Sequence, residues 1–375
     1  MRPAPARTGW RRLLPRWSVN TAVLTVAVFA SALLVFGPRL RDPGTGAPLR
    51  LADAWPAASV GTLPARLSAG APHTPTAVLA EGTAAGTAPS PDGRTRRLVV
   101  VTGGSYRVLR ALPTAADPLF AGLTPAGDHL LWAETVSGRG GAAVSALWAA
   151  PWRTPGPPRR LTADTGALAF FHSQYDLVVA DGRVHWVAVA PGATPVTEVR
   201  SVPLAGGAVT VRQVPGQWAL SAWPWLVSAS SAGSGRAQRY DLTTDRRVDV
   251  PADPADLVTC GPAWCRVQVL GPGGQARLDL MRPDGGGRRR VAGPEVSAAV
   301  SDVALQDRFE VLTRIGAAGP PDSQQELLLY DAARGHTVAL ADGVDVVDSR
   351  AGWLWWSTGG AAAPRWHTLD LRALE

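Results

Sequence analysis

Residues 123–162 read LTPAGDHLLWAETVSGRGGAAVSALWAAPWRTPGPPRRLT, an alternation of turns and apolar runs. A turn at 124–128 leads into an apolar run at 129–136 and, after a glycine-rich loop, into a second apolar run at 143–152. A Pro/Gly turn and the short basic run 159–162 complete the unit. Short apolar runs separated by tight turns are typical of antiparallel β-strands. The stretch therefore predicts one blade of a β-propeller.

The second half of this unit, an apolar strand followed by a turn and a short strand, recurs along the chain. Its copies end at Thr162, Val214, Val250, Ala292 and Leu340, with an earlier copy at 98–112 and an incomplete last one at 344–375. A period of about 45 residues is that of four-stranded propeller blades. We predict an all-β propeller of seven blades over residues 52–375, in which the segment 59–67 supplies the outer strand that the last blade lacks.

The best unit resembles the WD40-like repeat of TolB-like propellers. The matching residues are the turn and strand from Leu123 to Trp132, then Leu147-Trp148, then the run from Arg159 to Thr162. The order Ala126-Gly127-Asp128 departs from the Pro-Asp-Gly of that repeat, and the other units lose this turn. The resemblance implies an envelope protein that docks partners on its propeller face, and it carries over no catalytic residue.

The N-terminal part of the chain has a different composition. Residues 18–36 (SVNTAVLTVAVFASALLVF) are uncharged and long enough to cross a hydrocarbon core of roughly 30 Å as a helix. Arginines precede this segment, so we predict a cytoplasmic tail at 1–17, a signal anchor at 18–36, a stalk at 37–51 and a propeller outside the membrane. The alternative is a signal peptide cleaved near Ala30-Ser31-Ala32.

Composition narrows the class of partner. The 375 residues carry a formal net charge of +7, and arginines at the N-terminus account for most of the excess. A nucleic-acid-binding protein needs a concentrated basic face, so we exclude nucleic acid as a partner. The remaining partner classes are an envelope protein or a cell-wall glycan, with the inner membrane contacted through residues 18–36.

Cys260 and Cys265 are the two cysteines of the chain, and the loop GPAW separates them. In an exported domain this pair favours a disulfide across a hairpin, with two free thiols as the alternative. The six histidines show no paired spacing, so we predict no zinc and no other cofactor. His172 lies near Ser173 and Asp176, but no nucleophile elbow accompanies them.

Asp342, Asp345 and Asp348 suggest a calcium site by composition. However, Asp342-Gly343 is typical of a hairpin turn, and Asp345 and Asp348 point to opposite faces of a strand. We therefore interpret them as solvated carboxylates.

Fifteen tryptophans are the notable excess in the composition. Trp353 and Trp355 share one face of a predicted strand, and Trp223 and Trp225 share one face of another. At an open end of the channel such pairs would stack on sugars or anchor a protein. Packing between blades is the alternative.

These patterns predict a binding scaffold rather than an enzyme. The rival hypothesis is an exported propeller enzyme, a glycan lyase or hydrolase, that uses acids such as Asp117, Asp164 or Asp302. Such an enzyme should bring several carboxylates, or an arginine or tyrosine, together at the channel mouth, with at least one raised pKa.

Overall fold

The computed structural model describes residues 47–138, 143–228, 237–254, 256–315 and 325–375. These residues form seven separate β-sheets, each dominated by antiparallel neighbours in chain order. The chain is an all-β, seven-bladed propeller, as the repeat spacing predicted.

The strands follow one another blade by blade. Before the first blade lie β1 (Leu49–Arg50), helix α1 (Leu51–Ala54) and β2 (Gly61–Leu63). Blade 1 contains β3 (Thr74–Ala80), β4 (Thr83–Pro89), β5 (Thr95–Thr102) and β6 (Ser105–Pro113). Blade 2 contains β7 (Leu119–Ala126), β8 (His129–Ser137), β9 (Ala143–Pro151) and β10 (Arg159–Thr162). Blade 3 contains β11 (Ala167–Leu168), β12 (Val178–Ala180), β13 (Arg183–Val189), β14 (Val196–Pro203) and β15 (Thr210–Pro215).

The second half of the ring repeats the arrangement. Blade 4 contains β16 (Trp218–Leu220), β17 (Trp225–Ser228), β18 (Gln238–Asp241) and β19 (Arg246–Asp249). Blade 5 contains β20 (Asp256–Cys260), β21 (Cys265–Gly271), β22 (Gly274–Met281) and β23 (Arg289–Ala292). Blade 6 contains β24 (Val296–Ala298), β25 (Phe309–Ile315), β26 (Gln325–Asp331) and β27 (His336–Ala341), and blade 7 contains β28 (Val344–Arg350), β29 (Trp353–Thr358) and β30 (Arg365–Asp370).

The ring closes between its first and last parts. Strand β2 pairs antiparallel with β30, with Gly61 opposite Thr368 and Leu63 opposite Trp366. This pairing confirms that the segment 59–67 supplies the missing outer strand of blade 7. It also covers the outer edge of that blade, which would otherwise present unpaired backbone groups.

Packing between blades explains the tryptophan alternation on β29. Trp355 is fully buried with Leu63 and Val78, so this face of blade 7 packs on blade 1. Trp356 points the other way and packs with Phe309 of blade 6. A strand covered on both faces by neighbouring blades needs apolar side chains at successive positions.

A buried histidine lies beside the closing strand, and it makes the fold sensitive to acid. His73 is 2% exposed, and its Nδ1 lies 3.0 Å from the carbonyl oxygen of Pro64. Burial lowers the pKa of His73, although the hydrogen bond to Pro64 opposes that shift. Below the ordinary value of 6.5 the unfolded chain therefore binds a proton that the folded chain does not, and stability falls.

We expect His73→Asn to remove this acid sensitivity. The stability advantage of the wild type over the variant should shrink as the pH falls from 7.5 to 5.5, by at most about 1.4 kcal/mol for each pH unit. Urea unfolding at several pH values measures this difference. His129 is exposed, so His129→Asn is the control and should leave the slope unchanged. If the free energy of unfolding of His73→Asn changed with pH as steeply as that of the wild type, His73 would take up its proton in the folded state as well.

The N-terminal predictions require a correction. Across the described ranges, no helix has both the length and the apolar character that crossing a bilayer requires. The predicted tail at 1–17, the anchor at 18–36 and most of the stalk at 37–51 lie outside the described residues. The predicted single-pass membrane location is therefore corrected.

Candidate functional site in the central channel

The innermost strand of blade 3 is interrupted. Strand β11 pairs with the end of β13, whereas β12 pairs with its beginning, and residues 169–177 leave the sheet between them. His172 within this segment has a φ of 56°, a left-handed conformation that is uncommon for residues other than glycine. We call residues 169–177 the blade 3 insertion.

Blade 6 departs from its sheet in the same way. Residues 299–308 separate β24 from β25, and we call them the blade 6 insertion. Ala304, Gln306 and Asp307 all have positive φ values, of 47°, 56° and 54°. Strained backbone of this kind persists only where surrounding contacts hold it, and it is concentrated at functional sites.

The two insertions meet, although their blades are not neighbours in the ring. Ser173 Oγ donates a hydrogen bond to Asp302 Oδ1 (2.6 Å), and the Gln174 backbone N–H donates to Asp302 Oδ2 (2.9 Å). Ser301 Oγ donates to the His172 carbonyl oxygen (2.6 Å). Only the middle of a ring brings blade 3 and blade 6 into contact, so the insertions lie in the central channel.

A second carboxylate organises the blade 3 insertion from within. Asp176 is 5% exposed and accepts hydrogen bonds from the backbone N–H groups of Phe171 (2.8 Å) and Ser173 (3.1 Å). Burial is the main cause that raises the pKa of Asp176, and these backbone bonds oppose it. The carboxylate of Asp176 therefore holds the left-handed turn at His172 in place through hydrogen bonds on both sides of it.

Arg350, the last residue of β28, reaches the same place from blade 7. Its Nη2 donates to the Ser173 carbonyl oxygen (3.1 Å), and its Nη1 lies 3.4 Å from the Gln174 carbonyl oxygen and 3.4 Å from Thr124 Oγ1 of blade 2. Burial lowers the pKa of the guanidinium, while Asp348, Asp176 and Asp302 act to raise it. One buried cation therefore faces three carboxyl groups.

The carboxyl groups around Arg350 all have raised pKa values. Burial is the largest cause for Asp302 and for Asp348, and nearby Arg350 partly offsets it in both. Asp302 is 7% exposed and fully engaged by blade 3, whereas Asp348 is half-buried. His172 is exposed and close enough to lower the pKa of Asp348 slightly. Among these groups, Asp348 and His172 are thus the two that keep more contact with solvent. We call Asp176, Asp302, Asp348, Arg350 and His172 the channel cluster.

Blade 5 supports the blade 6 insertion from behind. Arg266 Nη2 donates to the carbonyl oxygens of Asp302 (2.7 Å) and Val300 (3.1 Å), and its Nε forms an ion pair with the fully buried Glu310. Glu310 also accepts a hydrogen bond from the Ala304 backbone N–H (2.8 Å). These contacts hold the backbone that carries Asp302 in place.

The enzyme hypothesis predicted several carboxylates together with an arginine or tyrosine, and at least one raised pKa. The channel cluster contains such a group, although only one of the three acids named from the sequence belongs to it. Of Asp117, Asp164 and Asp302, only Asp302 belongs to the channel cluster. Asp117 is exposed in the connection to blade 2, and Asp164 pairs with Arg200 (2.7 Å) with two thirds of its side chain exposed.

Sequence reasoning missed the roles of Asp176 and Arg350, and it interpreted Asp348 as a solvated carboxylate. The length of the sequence repeat could have pointed to this site. The repeat that contains blade 3 is longer than the repeat of blade 4 by more than one strand, and the blade 3 insertion accounts for part of this difference. No group of side chains suited to a metal ion occurs among the described residues, Asp342 and Asp345 included.

The four tryptophans that were candidates for a ligand face occupy two different settings. Trp353 and Trp355 are 7% and 0% exposed in the packing between blades 7 and 1. Trp223 and Trp225 are half-buried. Trp223 lies against His185 with 3.7 Å between ring centroids, and Arg239 covers the ring of Trp225 at 4.3 Å.

Cys260 and Cys265 form a disulfide at the first hairpin of blade 5, where they face each other across β20 and β21. So short a closed loop stabilises the fold by only about 2 kcal/mol in the chain-entropy estimate. The disulfide lies in the core cluster with Val250 and Val267, where its contribution is structural.

The comparisons with known proteins show the fold. No known protein family matches the chain, and no curated protein does. Among solved structures, a puromycin-hydrolyzing peptidase of Mycobacterium tuberculosis matches with a TM-score of 0.50 and 14% identity over 88% of this chain. The chain spans 55% of the length of that peptidase.

Two further solved structures match at lower TM-scores. An oligogalacturonate lyase in complex with manganese matches at 0.46 with 14% identity, over 81% of this chain and 84% of the lyase. The β-propeller domain of the trilobed protease from Pyrococcus furiosus matches at 0.45 with 9% identity, over 68% of this chain and 83% of that domain.

The prediction that the chain is not an enzyme is corrected by these matches, because the first of these solved structures is a peptidase. A likeness at 14% identity shows the fold alone, so the TolB-like identity is not shown, and neither is any particular reaction. The seven-bladed β-propeller of this chain is therefore similar in fold to a solved peptidase structure, over 88% of this chain.

Proposed function

We propose that this propeller hydrolyses glycosidic bonds at the channel cluster. The observation that carries the proposal is the hydrogen bond from Arg350 of blade 7 to the Ser173 carbonyl oxygen of the blade 3 insertion (3.1 Å), which brings the strand that carries Asp348 beside the segment that carries His172. Concave sites that combine several carboxyls, a shifted pKa and access from solvent are the usual places for acid and base catalysis.

Asp348 is assigned the role of general acid. Its pKa is raised chiefly by burial, so it holds its proton at a higher pH than an exposed aspartate does. It donates that proton to the oxygen that leaves the sugar as the bond from carbon to oxygen breaks. The exposed imidazole of His172 takes a proton from the attacking water, whose oxygen forms the new bond to the sugar carbon. Arg350, Asp302 and Asp176 hold the backbone on which His172 lies.

The charge of the cluster favours hydrolysis over elimination. A lyase that acts on uronate sugars needs free cationic groups to bind the substrate carboxylate. Here Arg350 is 9% exposed and donates to backbone carbonyls, while three carboxyls surround it. The proposed substrate is therefore a glycoside of neutral or amino sugars, sugar chains included.

We expect Asp348→Asn to lower the rate of glycan cleavage at least 100-fold, because removing a general acid typically costs a factor of about 10² to 10⁴. The assay measures release of reducing ends from washed cell wall and from neutral polysaccharides. Asp345→Asn is the matched control, since Asp345 lies on the same strand but is exposed, and it accepts a hydrogen bond from the Gly360 N–H (2.9 Å). Equal rates in the two variants, or no cleavage by the wild type, would contradict the proposal.

A second candidate is a TolB-like scaffold that binds an envelope protein. The repeat sequence at 123–162 favours it, as do Leu119 and Val144 of the same blade, which are 55% and 54% exposed. A pulldown with the full chain from solubilised envelope tests this candidate. A stoichiometric protein partner that is lost in Leu119→Asp would support it, and retention of no protein would count against it.

A further inference from the structure

An apolar groove begins beside the channel cluster. It has a volume of about 450 Å³ and lies between blade 3 and the start of blade 4, with walls that include Ala169, Phe171, Val189, Pro195, Gly216 and Trp218. Phe171 directly precedes His172, so the groove and the reactive end of the cluster share one stretch of backbone. Small-molecule sites generally fall in the range of about 300 to 1,000 Å³.

The walls of the groove select for an uncharged group. None of the described residues that line it carries a charge. Two of its polar side chains are already paired: Thr197 Oγ donates to the Gly216 carbonyl oxygen (2.9 Å), and Trp218 Nε1 donates to the Pro215 carbonyl oxygen (2.9 Å). The other two, Thr194 and Gln217, are exposed to solvent. A charged group that entered this groove would therefore meet no opposite charge on the described walls.

Apolar surface in the groove is left open to solvent. Val189 is 56% exposed and Phe171 is 38% exposed. Small residues along the walls, including Ala169 and Gly216, leave the space that larger side chains would fill. An engineered cavity of about 150 Å³ is large enough to bind benzene, so this groove has room for a ring with substituents.

We infer that the groove binds an apolar aryl or alkyl group of the substrate while the adjoining sugar ring lies at Asp348 and His172. This inference rests on the proposed glycosidase function and deepens it, because it names the substrate class as glycosides that carry an apolar aglycone. Continuity between the groove and the cluster through Phe171 and His172 supports a single ligand that spans both.

The first test is binding of N-phenyl-1-naphthylamine, an uncharged probe whose fluorescence rises in apolar surroundings. We expect the wild type to bind it, Val189→Asp to bind it at least tenfold more weakly, and Phe171→Ser to bind it more weakly as well. Leu270→Asp is the control, because Leu270 is an apolar residue of blade 5 that is 42% exposed, within the range of the two groove residues. Unfolding curves confirm that each variant is folded. Equal affinity in the wild type and both groove variants would overturn the inference.

The second test separates this inference from the proposed function. Asp348→Asn should bind the probe as the wild type does, because the groove does not depend on the acid. Phenyl and octyl glycosides should compete with the probe at least tenfold better than the methyl glycoside of the same sugar. Competition without cleavage would refute the hydrolase and keep the groove assignment, whereas equal competition by all three glycosides would refute the apolar substrate class.

Discussion

Replacing Arg350 by methionine should lower the free energy of unfolding at pH 8 by about 3 to 5 kcal/mol, the usual cost of removing one partner from a buried ionic cluster. Methionine keeps much of the apolar volume but removes the charge that faces Asp176, Asp302 and Asp348. The hydrogen bonds that tie blade 7 to the carbonyl oxygens of Ser173 and Gln174 are lost as well.

The loss in Arg350→Met should depend on pH in a defined direction. The three carboxyls have raised pKa values in the folded chain. Above the ordinary value of 3.8, the folded chain therefore still binds protons that the unfolded chain has released. The contribution of these carboxyls to stability becomes unfavourable as the pH rises through this range. Without Arg350 these pKa values rise further. The variant should therefore be closest to the wild type in acid and furthest from it at pH 8.

Urea unfolding followed by tryptophan fluorescence, at pH 5 and pH 8, measures both effects. Arg246→Met is the control, because Arg246 is exposed on β19 at the rim of blade 4, and it should change stability by less than about 0.5 kcal/mol. A loss below about 1 kcal/mol for Arg350→Met at pH 8 would show that water, rather than Arg350, balances the carboxyls.

Replacing Trp355 by alanine should destabilise the protein by about 3 to 5 kcal/mol, the range for truncating a buried tryptophan. Trp355 is fully buried between Leu63 of the closing strand β2, Val78 of blade 1 and the rest of blade 7. The cavity would therefore open where the first and last parts of the chain join, and closure of the ring would weaken with it.

Trp225→Ala is the informative comparison. Trp225 is half-buried and covered by Arg239, so its truncation should cost clearly less stability than that of Trp355. Thermal unfolding of both variants measures the contribution of each tryptophan to packing. Retention of each variant on washed cell wall measures its contribution to binding. A stable Trp355→Ala variant that has lost retention would assign Trp355 to a ligand face, contrary to its position in the core.

Blade 2 shows why so much of the fold could be predicted from the sequence. Its predicted strands at 129–136, 143–152 and 159–162 differ from β8, β9 and β10 by at most one residue at an end. Turn residues and continuous apolar runs are local signals, and in this blade they agree with the packing between blades. The closing strand was also predictable, because a seventh blade with three strands leaves one open edge that the chain must cover.

The members of the channel cluster could be predicted from the sequence only in part. Asp302 was among the expected acids, but nothing near it in the sequence pointed to Ser173, which binds its carboxylate from blade 3. Trp353 and Trp355 share one face of β29, as predicted, yet a shared face does not say which neighbouring blade covers it. In a ring whose blades are covered on both sides, both faces are interior.

The strand order, the period of the blades and the seven-bladed ring could be predicted from the sequence, because hairpins form between segments adjacent in the chain and their turn chemistry is local. The candidate site depends instead on contacts between distant blades. Asp176, Asp302 and Arg350 belong to blades 3, 6 and 7, and they meet because two insertions leave their sheets and cross the channel. Contacts of this kind depend on the curvature of the closed ring, a property of all seven blades together that no single stretch of sequence contains.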